Sequence, residues 1–231
     1  MIKKTFIYMI FIFILTIIVM LIMRSSFFPK KYYKASDFNI KTVYSSVDYN
    51  KNNIDDYTDF VLGARKDANN KPTYVSKYYG DSYPPDNEGV CTDVIWRAFK
   101  KAGYSLRDML NEDVIKYPED YHYIENRDKN IDFRRVGNLH DFFKKYAISL
   151  TLDYKDIEEW QPGDIVIFGN DKHIGLVSDK RNSNGVTYII HNGGQFNREE
   201  DYLNGFVEVT GHYRFDASKI SEDVLVPWKE E

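Results

Sequence analysis

The stretch KHIGLVSDKRNSNGVTYIIHN, residues 172–192, decides how this chain is read. On either side of Asn182–Gly185 the residues alternate with a period of two, which belongs to strands. Each arm carries one histidine, His173 or His191. Strand side chains alternate between faces, so the hairpin register decides whether the two imidazoles meet. A hairpin centred on Asn182, with a loop from Lys180 to Asn184 and Gly185 taking up the turn, sets 177 opposite 187, 175 opposite 189 and His173 opposite His191. A tight turn at Asn184–Gly185 would pair His191 with Ser178 and send the histidines to opposite faces. The longer loop is adopted, with both histidines on one face.

Outward from this hairpin, DIVIF (164–168) and FVEVTGHYRF (206–215) also read as strands between Gly and Asn turns. Upstream the period becomes helical. From residue 54, Ile54, Tyr57, Phe60, Val61 and Ala64 recur at spacings of three and four. Val94, Ile95, Ala98, Phe99 and Ala102 form an apolar face that closes at Gly103. Ser105 followed by Asp108 resembles a capping pattern for a further helix, and Asn138 is placed to cap another whose stripe is Leu139, Phe142, Phe143 and Tyr146. Helices first and an antiparallel sheet afterwards make an α+β domain over 54–231.

The first 31 residues hold five of the 31 basic residues and none of the 35 acids, which leaves 26 bases against 35 acids in the body, a formal −9. Such a body repels nucleic acid, whose phosphates need a basic stripe. Residues 5–23, TFIYMIFIFILTIIVMLIM, carry no charge. As a helix they would span about 28 Å, close to the ~30 Å of a bilayer's hydrocarbon. No small-residue cleavage site follows, so the expectation is an uncleaved transmembrane helix in an anchor over 1–31, with 32–53 as a juxtamembrane stalk.

Cys91 is the only cysteine, so no internal disulfide forms. It stands at the start of an amphipathic helix, where the dipole and unpaired N–H groups favour a thiolate and can also hold an oxyanion. Of the five histidines, His122 lies in a tyrosine-rich loop, His140 inside a helix and His212 beside Tyr213, all suited to packing or solvation. His173 as base and His191 as its orienter complete the nucleophile, base and orienter of covalent acyl transfer. A zinc site of Cys91, His173 and His191 is the alternative use of the same residues, without any C-x-x-C or H-x-x-x-H pairing behind it. Arg134 and Arg135 are adjacent, so an extended backbone turns one inward, where its planar fork can clamp a carboxylate. The plainer reading is an ion pair with Asp128 or Asp132.

The segments YYGDSYPPDNEGVCTD (78–93), QPGDIVIFGNDKHIGLVSD (161–179) and YIIHNGG (188–194) resemble the NlpC/p60 superfamily of papain-like cysteine peptidases. They resemble more closely a bacterial branch described mainly as a domain of unknown function. The resemblance covers most of residues 54–216 and implies Cys91 as nucleophile, His173 in His-Ile-Gly-Leu-Val as base and His191 as third member. It also implies an oxyanion or substrate role for Tyr79, with Asn192 as a second candidate orienter. Where the superfamily commonly reads Asp-Cys-Ser-Gly, this chain has Val90-Cys91-Thr92-Asp93, and an acid two residues from the thiol opposes its ionisation. The implied protein is a membrane-anchored, extracytoplasmic cysteine hydrolase, endopeptidase or amidase, of peptidoglycan stem peptides that needs no metal or other cofactor. The alternative is a non-catalytic cell-wall-binding or scaffold protein that keeps the papain-like shell.

Overall fold

The computed structural model describes residues 2–24, 32–203 and 207–230, with the side chains of its first helix described over 8–19. Helices α1 (Ile2–Arg24), α2 (Asp56–Asn70), α3 (Cys91–Lys101), α4 (Leu106–Lys116) and α5 (Val136–Tyr146) precede most of the strands. The strands are β1 (Thr73–Tyr74), β2 (Glu88–Gly89), β3 (Ile148–Ser149), β4 (Ile165–Phe168), β5 (His173–Arg181), β6 (Thr187–Ile190), β7 (Glu199–Glu200) and β8 (Val209–Arg214). Six of them form one antiparallel sheet in the order β3-β8-β4-β5-β6-β7, while β1 and β2 pair in parallel apart from it. The α+β class holds. The two-residue strands β1, β2, β3 and β7 are too short to show a period, and Phe206 of the last expected strand lies outside the described residues.

Both faces of the sheet are covered. Ile165, Ile167, Ile174, Leu176 and Ile190 meet Phe60 of α2, Phe99 of α3 and Phe142 and Phe143 of α5. On the other face Val166, Phe168, Val177 and Ile189 pack with Trp160 and Leu203. This two-sided burial explains why β4 reads as an unbroken apolar run, Ile-Val-Ile-Phe. Gly103 ends α3 in the left-handed region at φ +94°, and the Ser105 hydroxyl accepts from the Asp108 N–H at 3.4 Å. Asn138 does not cap α5. That helix starts two residues earlier, and the Asn138 amide donates instead to the Asp132 carbonyl at 3.0 Å.

The central hairpin has the expected parity but not the expected register. Leu176 pairs with Ile190 and Val177 with Ile189, a shift of two residues, with a bulge before Arg181 pairs with Thr187. A shift of two keeps every side chain on its face. The Asn182 side chain accepts from the N–H groups of Asn184 and Val186, and Gly185 turns at φ +82° as the long-loop reading requires.

The chain divides into two compact units, before and after the Tyr32–Tyr33 link. The transmembrane helix expected over 5–23 is overturned, and with it the single-pass membrane placement. Among the described residues no helix is long and apolar enough to cross a membrane. The stalk expected over 32–53 is instead, from Tyr33, part of the second unit. Tyr33 and Arg181 exchange backbone hydrogen bonds of 2.8 Å, Ile40 is buried, and Tyr49 stacks on Tyr104 with centroids 4.1 Å apart. Apolar side chains scattered at no regular period carry no helix or strand signal, yet they find partners in the body. Residues 25–31 lie outside the described residues.

Candidate active site

Cys91 is the first residue of α3 and is 6% exposed. The backbone N–H groups of Ile174 and Thr92 donate toward its sulfur, so the thiol reaches the sheet one residue past His173. Burial pushes the thiol up to about 11, a rise that these backbone donors oppose and the nearby Asp93 charge reinforces. Cys91 also lines an open cleft of about 730 Å³ together with Tyr74, Arg135 and Lys172.

His173 and His191 are brought together. The His173 Nε2 and His191 Nδ1 atoms lie 2.8 Å apart, with the rings edge-on at 86°. The shifted register makes them diagonal neighbours rather than directly opposed, still within reach on one face. Continued one step from the Leu176–Ile190 pair, the register sets Gly175 opposite His191. A Cβ on Gly175 would stand 2.5 Å from Ile189 Cγ2 and 3.2 Å from His191 Cβ, so the glycine of the His-Ile-Gly sequence lets β6 pack closely here, chiefly at Ile189. Burial holds His173 down at about 4, helped by the neighbouring His191. Both imidazoles lie on the Phe168 and Tyr202 side of the sheet, not directly beneath α3 as the sequence suggests. Thiol and histidines therefore converge on the start of β5 from two sides.

Asp93 is fully buried and fully engaged. Its Oδ1 accepts from Arg134 Nε at 2.8 Å and Trp96 Nε1 at 2.7 Å, and its Oδ2 from Arg134 Nη2 at 2.9 Å and the Val90 N–H at 2.6 Å. The Val90 contact caps α3. Arg134 is thus the inward arginine, but the carboxylate it clamps is internal, so it is not a substrate receptor. Arg135 is exposed along the cleft. Asn192 donates to the Gly89 carbonyl at 3.2 Å, away from His191, and so braces the strand before Cys91 instead of orienting the base.

Tyr79 does not line the cleft. Its hydroxyl donates to Glu88 at 2.5 Å, and its ring lies 5.0 Å from the Arg134 guanidinium. The tyrosine beside Cys91 is Tyr74 on β1, whose hydroxyl burial pushes up, with the Cys91 charge as the next cause. Sequence reasoning missed it because its two-residue strand gives no pattern. It also missed Glu200 on β7, 3.2 Å from His191 Nε2. The remaining histidines are structural or solvated. His212 stacks on Trp160 at 3.9 Å and bonds Asp164, His140 bonds Asp171 and Tyr213, and His122 is largely exposed. Among the described residues no group of three or more His, Cys, Asp or Glu is arranged to hold a metal ion. The facing nitrogens of His173 and His191 bond each other and do not aim at a common point.

Residues 61–215 match the family described as Domain of unknown function (DUF1287), and not a family of NlpC/p60 peptidases. The Escherichia coli (strain K12) protein named "Uncharacterized protein YijF" is 36% identical over 151 residues, 62% of this chain and 72% of that protein. No solved structure matches the chain. The span matched by the family holds Cys91, His173, His191 and the buried Asp93–Arg134 pair, and the chain belongs to the DUF1287 family.

Proposed function

We propose that this protein is a cysteine hydrolase of amide bonds, with peptidoglycan stem peptides as the substrate class that its NlpC/p60-like motifs imply. The observation that carries the reading is the His173–His191 hydrogen bond of 2.8 Å at the strand position where the Cys91 thiol also arrives. In the resting site the high thiol and low imidazole values keep both groups neutral near pH 7. Cys91 then becomes a nucleophile as its proton passes to His173 during attack on the acyl carbon. The N–H groups at the start of α3 face the developing oxyanion, His173 returns the proton to the leaving amine, and water releases the acyl group from sulfur. Arg135 lies along the cleft that would receive the substrate.

The test is product analysis of isolated peptidoglycan incubated with the full chain, its Cys91→Ala variant and its His173→Ala variant. New peptide ends formed by the native chain and lost in both variants are the expected result. Equal products from Cys91→Ala would refute the mechanism. One observation favours a second reading, a binding protein that keeps the shell: a buried thiol raised to about 11 is what a packed, unused cysteine would show. Because Cys91 is the sole cysteine, its alkylation reports on this directly. A rate at pH 7 that His173→Ala leaves unchanged favours binding; a rate that falls about tenfold favours catalysis.

A further inference from the structure

We infer that Glu200 is a positioning residue that selects the productive tautomer of both histidines, an inference that rests on the reading of His173 as the base for Cys91. From β5, past the end of β6, to β7 three side chains form a line of diagonal neighbours. His173 Nε2 lies 2.8 Å from His191 Nδ1, and His191 Nε2 lies 3.2 Å from Glu200 Oε1. The register supports the line: Ile189 pairs with Glu200 and the His191 N–H donates to the Arg198 carbonyl, so His191 and Glu200 share a face.

The contact is an ion-pair distance and not one of the ring's hydrogen bonds, and a negative charge 3.2 Å from Nε2 favours the His191 tautomer that carries its proton there. The other nitrogen of that neutral ring is then a lone pair, which requires His173 to donate from Nε2. His173 Nδ1 is left as the free base. Each assignment forces the next, and the end of the chain is the atom needed to take a proton from the thiol.

A competing donor stands at the same ring. The Gln195 side-chain oxygen is held by the Gly193 N–H at 2.7 Å and by Arg198 Nη1 at 3.1 Å, which turns its amide nitrogen toward His191, 3.1 Å from Nε2, 3.3 Å from Nδ1 and 3.2 Å from the backbone carbonyl. Donation from Gln195 into Nε2 would place the His191 proton on Nδ1. His173 would then accept at Nε2 and carry its own proton on Nδ1, which blocks it as a base. The Glu200 charge decides between these two states. Tyr202, whose ring centroid lies 4.2 Å from that of His191, restrains the ring without choosing a tautomer. Glu200 itself is about one-third exposed, so it can be changed without opening the core.

The experiment is long-range proton–nitrogen NMR of the histidine-labelled full chain, native, Glu200→Gln and Glu200→Ala, together with Cys91 alkylation at pH 7 in the same proteins and in His173→Ala. Native protein should show Nε2–H at both histidines. Glu200→Ala should move His191 to Nδ1–H and slow alkylation about tenfold, toward the His173→Ala rate, with Glu200→Gln between. Glu200→Ala spectra that keep Nε2–H at His191 overturn the inference whatever the alkylation rate. A native-like alkylation rate in Glu200→Ala alongside a slowed His173→Ala also overturns it while leaving the base reading intact. If His173→Ala alkylates like the native chain, the base reading fails by itself and the spectra still decide whether Glu200 selects the tautomer.

Discussion

Two carboxylates flank the reactive groups, and they are held in opposite ways. Asp93, two residues past Cys91, is 0% exposed and takes four hydrogen bonds, two of them from the Arg134 fork. Glu200, behind His191, is about one-third exposed and meets the ring through one oxygen. A carboxylate with every lone pair occupied by buried donors is a structural part, because its charge is already balanced where it stands. A carboxylate held by a single ion-pair contact keeps its charge available to bias a neighbour. The concern that an acid near the thiol suppresses the nucleophile therefore applies less to Asp93 than its sequence position suggests.

The contrast is broken most strongly at Arg134. Arg134→Ala leaves Asp93 as an uncompensated buried charge and should cost about 3–5 kcal/mol, read as a lowered urea midpoint. The double variant Asp93→Ala with Arg134→Ala should recover part of that loss, since removing both partners leaves no orphaned charge.

A smaller effect comes from His173. Its folded value, about 4, lies below its unfolded value of about 6.5, so the unfolded chain binds the extra proton between them. The stability it contributes is fully present above about pH 6.5 and is lost as pH falls to about 4, on the order of 3 kcal/mol in all. Asp56, raised by burial to about 6, works in the opposite sense, losing its contribution as pH rises through the same window. The measurement is therefore the difference between the native chain and His173→Asn in urea melts from pH 4 to 7. A difference that stays flat with pH would show that His173 is not held neutral.

The smallest expected effect sharpens the contrast from the other side. Glu200→Gln should change stability by less than about 1 kcal/mol, as for other partly exposed pairs, while it shifts the His191 tautomer. A stability loss as large as that of Arg134→Ala would place Glu200 among the structural carboxylates.

Much of the site was legible because its elements are long enough to show a period. The helix after Cys91 and the arms of the 172–192 hairpin announce themselves at spacings of 3.6 and 2, and the choice of the long loop over the tight turn put His173 and His191 on one face. The register, off by two residues, was not legible, because a bulge near Arg181 lengthens one arm without changing the residue types. Tyr74 and Glu200 were missed because each sits on a two-residue strand that exists only through its pairing. Tyr79 was misplaced for the related reason that Glu88, nine residues on, takes its hydroxyl. The apolar run at 5–23 was read as a membrane span from composition alone, whereas among the described residues no helix is long and apolar enough to cross a membrane.

By itself the amino-acid sequence determined the α+β class, the thiol at a helix start and the shared face of two histidines. These follow from local periodicity and from the choice of hairpin turn, which need no long-range contact to be read. Tertiary structure alone decided that Asp93 is neutralised by an arginine 41 residues away, that residues 33–53 are part of the body, and that Glu200 stands behind His191. Those depend on which distant side chains meet once the sheet is assembled, and a buried charge or a ring nitrogen takes its character from that partner and not from its neighbours along the chain.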